Sequence, residues 1–292
     1  MTKTKSTTTR KKKVESAAMQ QTRPVTPEER YRMIAEAAYF LAEKRGFVGG
    51  DVAEDWLAAE AEIDRILQHE RGHEIEQQVQ IALKEEPAAI ADKVRAITLQ
   101  ALSGGELDRE TMKRVVSAVV AGARQGAERA KHGAQALKEA MRGLDDALAS
   151  AAEATQLAIQ EAAGRSSEFS KQALKKTMDD LAALESLFIE TLADAARSAA
   201  GFARASLRDL ADHARSSGTA VGGRVESALS QLAHAVADTA SEQGKIGTQT
   251  LRKESALLAS LAAGLLKGIA ERLQSTPVDK TKTARPSSGK RN

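Results

Sequence analysis

The sequence predicts an all-α protein, in which a small helical hairpin is followed by long antiparallel Ala-rich helices in an elongated bundle. Three observations lead to this class. No proline occurs between Pro87 and Pro277, alanine is the commonest residue of that interval, and apolar or small residues recur there at spacings of three and four. This period is typical of amphipathic helices that meet partner helices along a seam.

Two seams carry most of the pattern. The first predicts one helix over about 108–163 and consists of Val116, Val119, Ala123, Ala127, Ala130, Ala134, Leu137, Met141, Leu144, Leu148, Ala151, Thr155, Ala158 and Ala162. The second consists of Leu174, Met178, Leu181, Leu184, Phe188, Leu192, Ala195, Ala199 and Phe202. Gly143 does not change the phase of the first seam, so we expect the helix to continue through it.

Composition and local signals divide the chain into four parts. These are a disordered basic tail (1–23), a small helical module (24–86), a long-helix bundle (87–276) and a second disordered basic tail (277–292). Helix boundaries are predicted from capping residues and glycines. The signals are Thr26-Pro27-Glu28-Glu29, Arg45-Gly46, Asp51 with Glu54, Ser103-Gly104-Gly105, Asp108, Gly164-Arg165-Ser166-Ser167, Ser216-Ser217-Gly218-Thr219, and Gly244 with Gly247.

The formal net charge of +3 conceals an asymmetry. Residues 1–23 carry seven Lys/Arg and one Glu, and residues 277–292 carry five Lys/Arg and one Asp, which leaves −7 for the rest. An acidic helical body is not typical of a nucleic-acid-binding domain. We expect only weak and nonspecific nucleic-acid binding through the basic tails, which contain no aromatic residue for base stacking.

Cysteine is absent, which excludes disulfides and thiolate metal sites. The segment Met1–Lys13 lacks the apolar region of a secretory signal. The longest apolar run, Ala256–Leu266, is too short for a transmembrane helix. We therefore expect a cytoplasmic protein.

The strongest chemical motif is His69-Glu70-Arg71-Gly72-His73, which fits the His-Glu-x-x-His pattern of zinc hydrolases. Its context argues against this activity, because Gly72 weakens the helix between the histidines and Arg71 places a cation beside them. No further histidine follows until His132. We interpret the motif as a solvated helix face, and no residue is assigned as catalytic, metal-binding or cofactor-binding.

Two carboxylate pairs, Asp145-Asp146 and Asp179-Asp180, are also interpreted as solvated, because adjacent helical residues point in different directions. The glycine pairs at 104–105 and 222–223 lack the following Lys-Ser/Thr of a phosphate-binding loop.

Tyr39 and Trp56 are interpreted as core residues of the hairpin, with an aromatic binding surface as the alternative.

The N-terminal module resembles a known family. The resemblance covers about residues 30–66 and is carried by Ile34, Ala38-Tyr39, Arg45-Gly46, Gly50, Asp55-Trp56, Ala59-Glu60 and Ile63. These residues resemble the Ala-Tyr, Arg-Gly, Asp-Trp, Ala-Glu signature of a small bacterial family classed as a domain of unknown function. The region from about 75 onward, including 93–102 and 144–148, resembles an uncharacterised bacterial Ala-rich helical family. Neither resemblance implies an activity.

The absence of a catalytic constellation and the two seams predict a non-enzymatic interaction or scaffold protein that acts through helix–helix association, with a protein partner or with itself, and without a cofactor. A phasin-like protein that coats a lipid or polyester granule is the alternative, since the Ala-rich, cysteine-free composition is phasin-like. The final helix, with Lys253, Lys267 and Arg272 near its apolar face, fits either hypothesis. Zinc hydrolysis is the third hypothesis.

Overall fold

The computed structural model describes residues 25–165, 168–237 and 248–275, which form helices and contain no strand. The helices are α1 (Pro27–Lys44), α2 (Val52–Ala82), α3 (Pro87–Ser103), α4 (Arg109–Arg129), α5 (Gly133–Gly164), α6 (Lys171–Ala182), α7 (Leu184–Ser198), α8 (Gly201–Ser217), α9 (Ala220–Ala237) and α10 (Thr248–Ser275). The all-α prediction is confirmed. Both predicted tails and the predicted kink at Gly244 and Gly247 lie outside the described residues.

The chain divides into two compact units at Glu70 and Arg71, within α2. The N-terminal unit extends to Glu70 and the C-terminal unit begins at Arg71. Each has its own cluster of buried apolar side chains.

The N-terminal unit is the predicted helical hairpin. Its first helix starts with a capping box, in which the Thr26 hydroxyl accepts from the Glu29 amide at 3.2 Å and the Glu29 carboxylate accepts from the Thr26 amide at 2.8 Å. Arg30 of α1 donates to Glu60 and Asp64 of α2. The buried core between the two helices is small and consists of Ile34, Ala59, Ile63 and Leu67.

The C-terminal unit is built around α5. This helix contacts every other helix that lies wholly within the unit: α3, α4, α6, α7, α8, α9 and α10. Its buried residues lie on more than one face, and many of them are alanines with no exposed surface. A helix that is apolar and small all round can be surrounded by other helices.

Glycine allows the closest contacts in this unit. A Cβ on Gly143 of α5 would lie 2.2 Å from the carbonyl oxygen of Ala91 in α3. A Cβ on Gly122 of α4 would lie 2.6 Å from the carbonyl oxygen of Glu76 in α2. The backbones of both helix pairs are therefore in contact, at a separation that only glycine permits.

The order of the contacts gives the helix directions. Gly143 lies against Ala91, and Ser150 accepts from Arg95, so α3 and α5 run parallel. The intervening α4 packs on both and is joined to them by connections of only five and three residues. Short connections join antiparallel neighbours, so successive helices alternate in direction here, as predicted.

The prediction of one helix over about 108–163 is wrong. The helix ends at Arg129 and the next begins at Gly133. A Cβ on Gly133 would collide with the Ala127 carbonyl at 2.3 Å, so the turn depends on this glycine. The seam fails at the break, because Ala134 is exposed and Ala130 is half-buried whereas all its other members are buried.

The second seam also belongs to more than one helix. It is divided among α6, α7 and α8, with interruptions at Ala183 and at Ala199–Ala200. All its members are buried or half-buried except Phe202. The predicted boundaries at Ser103-Gly104, Asp108 and 216–219 are confirmed: the Asp108 carboxylate accepts from the Thr111 amide, and Gly218 ends α8 with a positive φ of 78°.

We expect Gly143→Ala to destabilise the protein, because the added methyl group must push α3 away from α5. The cost of such overpacking, about 1–3 kcal/mol, exceeds the gain of about 1 kcal/mol in helix propensity. Gly264→Ala is the matched control, since Gly264 is exposed in α10 with no atom within 4 Å of an added Cβ. Gly264→Ala should stabilise the protein by about 0.5–1 kcal/mol. Urea unfolding, followed by circular dichroism, measures the free energy of unfolding of both variants. An increase in stability for Gly143→Ala would contradict the backbone contact.

Candidate interaction surface

The turn of the N-terminal hairpin is tightly specified. The amide of Gly46 donates to the Glu43 carbonyl at 2.8 Å and the amide of Phe47 donates to the Ala42 carbonyl at 2.9 Å, which together form a Schellman motif. Gly46 has a φ of 75°, as such a motif requires. The predicted glycine C-cap of α1 is confirmed.

Arg45 fastens this turn to α2. Its guanidinium forms a bidentate ion pair with Asp55 at 2.6 and 2.7 Å and donates to the Gly49 carbonyl at 2.7 Å. The bidentate pair holds the pKa of Asp55 below its usual range. A Cβ on Gly50 would lie 2.5 Å from the Arg45 side chain, and the φ of Gly50 is 84°. These contacts give Arg45, Gly46, Gly50 and Asp55 structural roles in the turn.

Phe47 is held in an unfavourable backbone conformation by this turn. It is the non-glycine residue of positive φ within the described ranges, at 56°. A bulky side chain rarely adopts that region, and such strain is common at functional positions. Its ring is 59% exposed and packs on Tyr39, with ring centroids 5.5 Å apart.

Tyr39 and Phe40 complete an exposed aromatic cluster with Phe47. Their side chains are 54% and 55% exposed, and their ring centroids lie 5.9 Å apart. The interpretation of Tyr39 as a core residue is therefore wrong. Trp56 is half-buried beside the core and packs on Tyr31 at 5.1 Å. Tyr39 is therefore neither buried in the core nor part of an ion pair.

Two glutamates flank the cluster. Glu36 and Glu43 each lie three or four positions from both Tyr39 and Phe40, so all four side chains are neighbours on the exposed side of α1. Neither glutamate forms an ion pair with a residue that the structure describes. We call the set Glu36, Tyr39, Phe40, Glu43 and Phe47 the aromatic–acidic surface.

Exposed apolar side chains are concentrated in the N-terminal unit. Within the described ranges, thirteen large apolar residues are exposed, and eight of them lie in this unit, although it is much the smaller: Tyr31, Tyr39, Phe40, Leu41, Phe47, Val48, Val52 and Leu57. A concentration of exposed apolar surface usually marks an interaction site. The C-terminal unit exposes only scattered examples among its described residues.

The histidines of the zinc motif lie on α2. Both His69 and His73 are exposed, and His73 Nδ1 lies 3.6 Å from a carboxylate oxygen of Glu76. The helix continues through Gly72. No group of three or more His, Cys, Asp or Glu side chains converges as a metal site within 25–165, 168–237 and 248–275.

The carboxylate pairs have structural roles. Asp145 accepts from the amides of Ala220 and Val221 at 2.8 and 2.9 Å, and so caps the start of α9 from another helix. Burial raises its pKa above the usual range, against the opposite effect of these two hydrogen bonds. The interpretation of Asp145 as solvated is therefore wrong. Asp180 forms an ion pair with Lys176 at 2.8 Å.

A cavity of about 630 Å³ lies in the C-terminal unit, at the start of α4 and α10. Its apolar lining includes Leu107, Met112 and Leu251. Its charged residues are three of each sign: Glu106, Asp108, Asp180, Lys176, Arg252 and Lys253. Because the signs balance, the cavity favours neither an anionic nor a cationic ligand.

These features define a class: an all-α protein with a helical hairpin and a separate bundle of Ala-rich helices. The chain belongs to the family of unknown function DUF6781, whose family model matches residues 65–275. Residues 29–65 match the protein of unknown function DUF2934. The resemblance of the N-terminal module to a domain-of-unknown-function family is confirmed. No curated protein and no solved structure shows significant similarity to the chain.

The sequence predicts that the chain contains no transmembrane helix. None of the helices in the described ranges is long and apolar enough to cross a bilayer.

We expect Phe47→Asn to stabilise the N-terminal unit by about 0.5–1 kcal/mol, because asparagine tolerates the left-handed region better than phenylalanine. Trp56, the single tryptophan, reports unfolding of this unit by fluorescence. Val48→Asn is the control, since Val48 is exposed beside Phe47 without a positive φ. Equal effects of the two substitutions would contradict the argument from backbone strain.

Proposed function

We propose that this protein is a non-enzymatic interaction or scaffold protein that binds a protein partner, or itself, through the aromatic–acidic surface of its N-terminal hairpin. The observation that carries the proposal is the exposed cluster of Tyr39, Phe40 and Phe47, in which a tightly fixed turn holds Phe47 at a positive φ. Aromatic side chains contribute large contact area and are enriched in the parts of interfaces that contribute most to binding.

The packing of the C-terminal unit supports the assignment of the contact surface to the hairpin. In α10, Leu258, Ala262 and Leu266 are buried within the unit. The seams of α4 to α8 are also buried or half-buried, apart from Ala134 and Phe202. Their apolar surface is therefore already covered by neighbouring helices.

The granule-coating hypothesis requires the same stripes to be available to an apolar surface. On the apolar face of α10, Leu258 is buried and Leu273 is exposed, while Leu261, Leu265 and Ile269 pack partly against the core. Coating a surface would require these contacts to open, so the packing favours the interaction protein.

The substitutions Tyr39→Ser, Phe40→Ser and Phe47→Asn together should weaken association by at least about tenfold. Helicity should be unchanged, because all three side chains are exposed. Light scattering measures self-association, and affinity capture from lysate followed by reconstitution with the purified partner measures heterologous binding. The control replaces three exposed apolar residues of the C-terminal unit: Ile81→Ser, Leu157→Ser and Leu257→Ser.

The wild type and the control variant should both associate, and the aromatic variant should lose at least about tenfold in affinity, as expected when interface aromatics are removed. A wild type that is monomeric and recovers no partner would contradict the proposal. Equal association of the wild type and the aromatic variant would contradict the choice of surface.

A further inference from the structure

The chemistry of the aromatic–acidic surface favours a cation. Ring faces carry negative partial charge and attract lysine and arginine side chains. Glu36 and Glu43 add two full negative charges within one helical turn of Tyr39 and Phe40. The neighbouring Arg45 is held by Asp55 and Gly49. Two further cations lie nearby on α1: Lys44 adjoins Phe40 on the side away from Tyr39, and Arg32 lies one helical turn before Glu36. Neither is among the described ion pairs of Glu36 or Glu43.

This chain has a cationic segment attached close to the surface. Four consecutive basic residues, Arg10-Lys11-Lys12-Lys13, precede α1 in a segment with seven Lys/Arg and one Glu. Their charge is complementary to that of Glu36 and Glu43. They are followed by few apolar residues with which to form a core of their own.

The length of chain between the two allows contact within one molecule. Tyr39 lies twelve residues beyond Pro27, or about 18 Å along α1. The eleven residue-to-residue steps from Lys13 to Pro24 span at most about 36–40 Å when fully extended. Because tethering raises effective concentration to the millimolar range, contacts that are individually weak are enough for appreciable occupancy.

We propose that the run Arg10–Lys13 docks on the aromatic–acidic surface of its own chain and regulates it by covering it until a partner displaces it. This inference rests on the proposed function, since it concerns the same surface. The fraction of molecules with a docked run decreases as the salt concentration rises, because salt screens the exposed charges. A binding partner must compete with the docked run.

The absence of cysteine permits a direct test in the full chain. Thr9→Cys and Ala53→Cys place one spin label beside the basic run and one on an exposed position of the hairpin. Pulsed electron resonance then measures the distance distribution between them. A docked run gives a short and narrow component, which should decrease by about threefold or more when Glu36→Gln and Glu43→Gln remove the charges.

Glu190→Gln with Glu226→Gln is the matched control, because it makes the same charge change at exposed residues of the C-terminal unit. The short component should persist in this control and decrease in about 1 M salt, where screening extends to about 3 Å. Circular dichroism checks that all variants keep their helicity.

A broad and long distribution in the wild type, unaffected by the glutamate substitutions, would overturn the inference. A short distance found only between molecules labelled singly and then mixed would also overturn it, because docking would then occur between copies. Neither result affects the association assay described above, so failure of the docking is distinguishable from failure of the proposed function.

Discussion

The contact between the backbones of α3 and α5, at Ala91 and Gly143, is the constraint on which the rest of the C-terminal unit depends. A helix can be enclosed by several others only if its side chains are small, since each large residue would move a neighbour outward. The alanines of α5 satisfy this requirement and bury little area per residue, so stability comes from many close contacts instead of a few large side chains.

The same constraint accounts for where the aromatic residues lie. A unit whose helices approach this closely has little space for rings, and five of the eight aromatic residues of the chain belong to the hairpin. There the small core of Ile34, Ala59, Ile63 and Leu67 leaves several of them at the surface. The Arg45–Asp55 pair and the adjacent glycines fix the turn, and the fixed turn holds Phe47 beside Tyr39. The specific contacts of the hairpin thus stabilise a turn whose neighbouring aromatic side chains are exposed.

Features encoded by near neighbours could be predicted from the sequence. The capping box at Thr26, the glycine at the end of α1 and the Asp108 cap were all correctly placed, because each depends on residues within four positions. The burial of the seams was predicted because the period of apolar residues records a buried face. The break at 130–132 was missed, since the apolar spacing continues across it and only Gly133 marks it locally.

Features that depend on distant residues could not be predicted. Asp145 caps a helix that begins seventy-five residues later, and no local pattern encodes that contact. The exposure of Tyr39 carried a usable signal, since Tyr39 and Phe40 lie off the face defined by Ile34 and Ala38. Abundant aromatic area in a small module nevertheless favoured a core interpretation. Which Ala-rich helices become neighbours is not encoded in their periodicity, because many alanine faces are interchangeable.

The function proposed above requires that the helices of the C-terminal unit cover one another and leave the hairpin as the contact surface. Vesicle flotation of the purified full chain can check this requirement, with helicity followed by circular dichroism before and after lipid is added. We expect a protein that is already fully helical and does not float at high salt, where attraction of the basic segments to anionic lipid is screened. Flotation that persists at high salt, together with a gain in helicity, would show that the buried stripes open onto an apolar surface and would rule the requirement out.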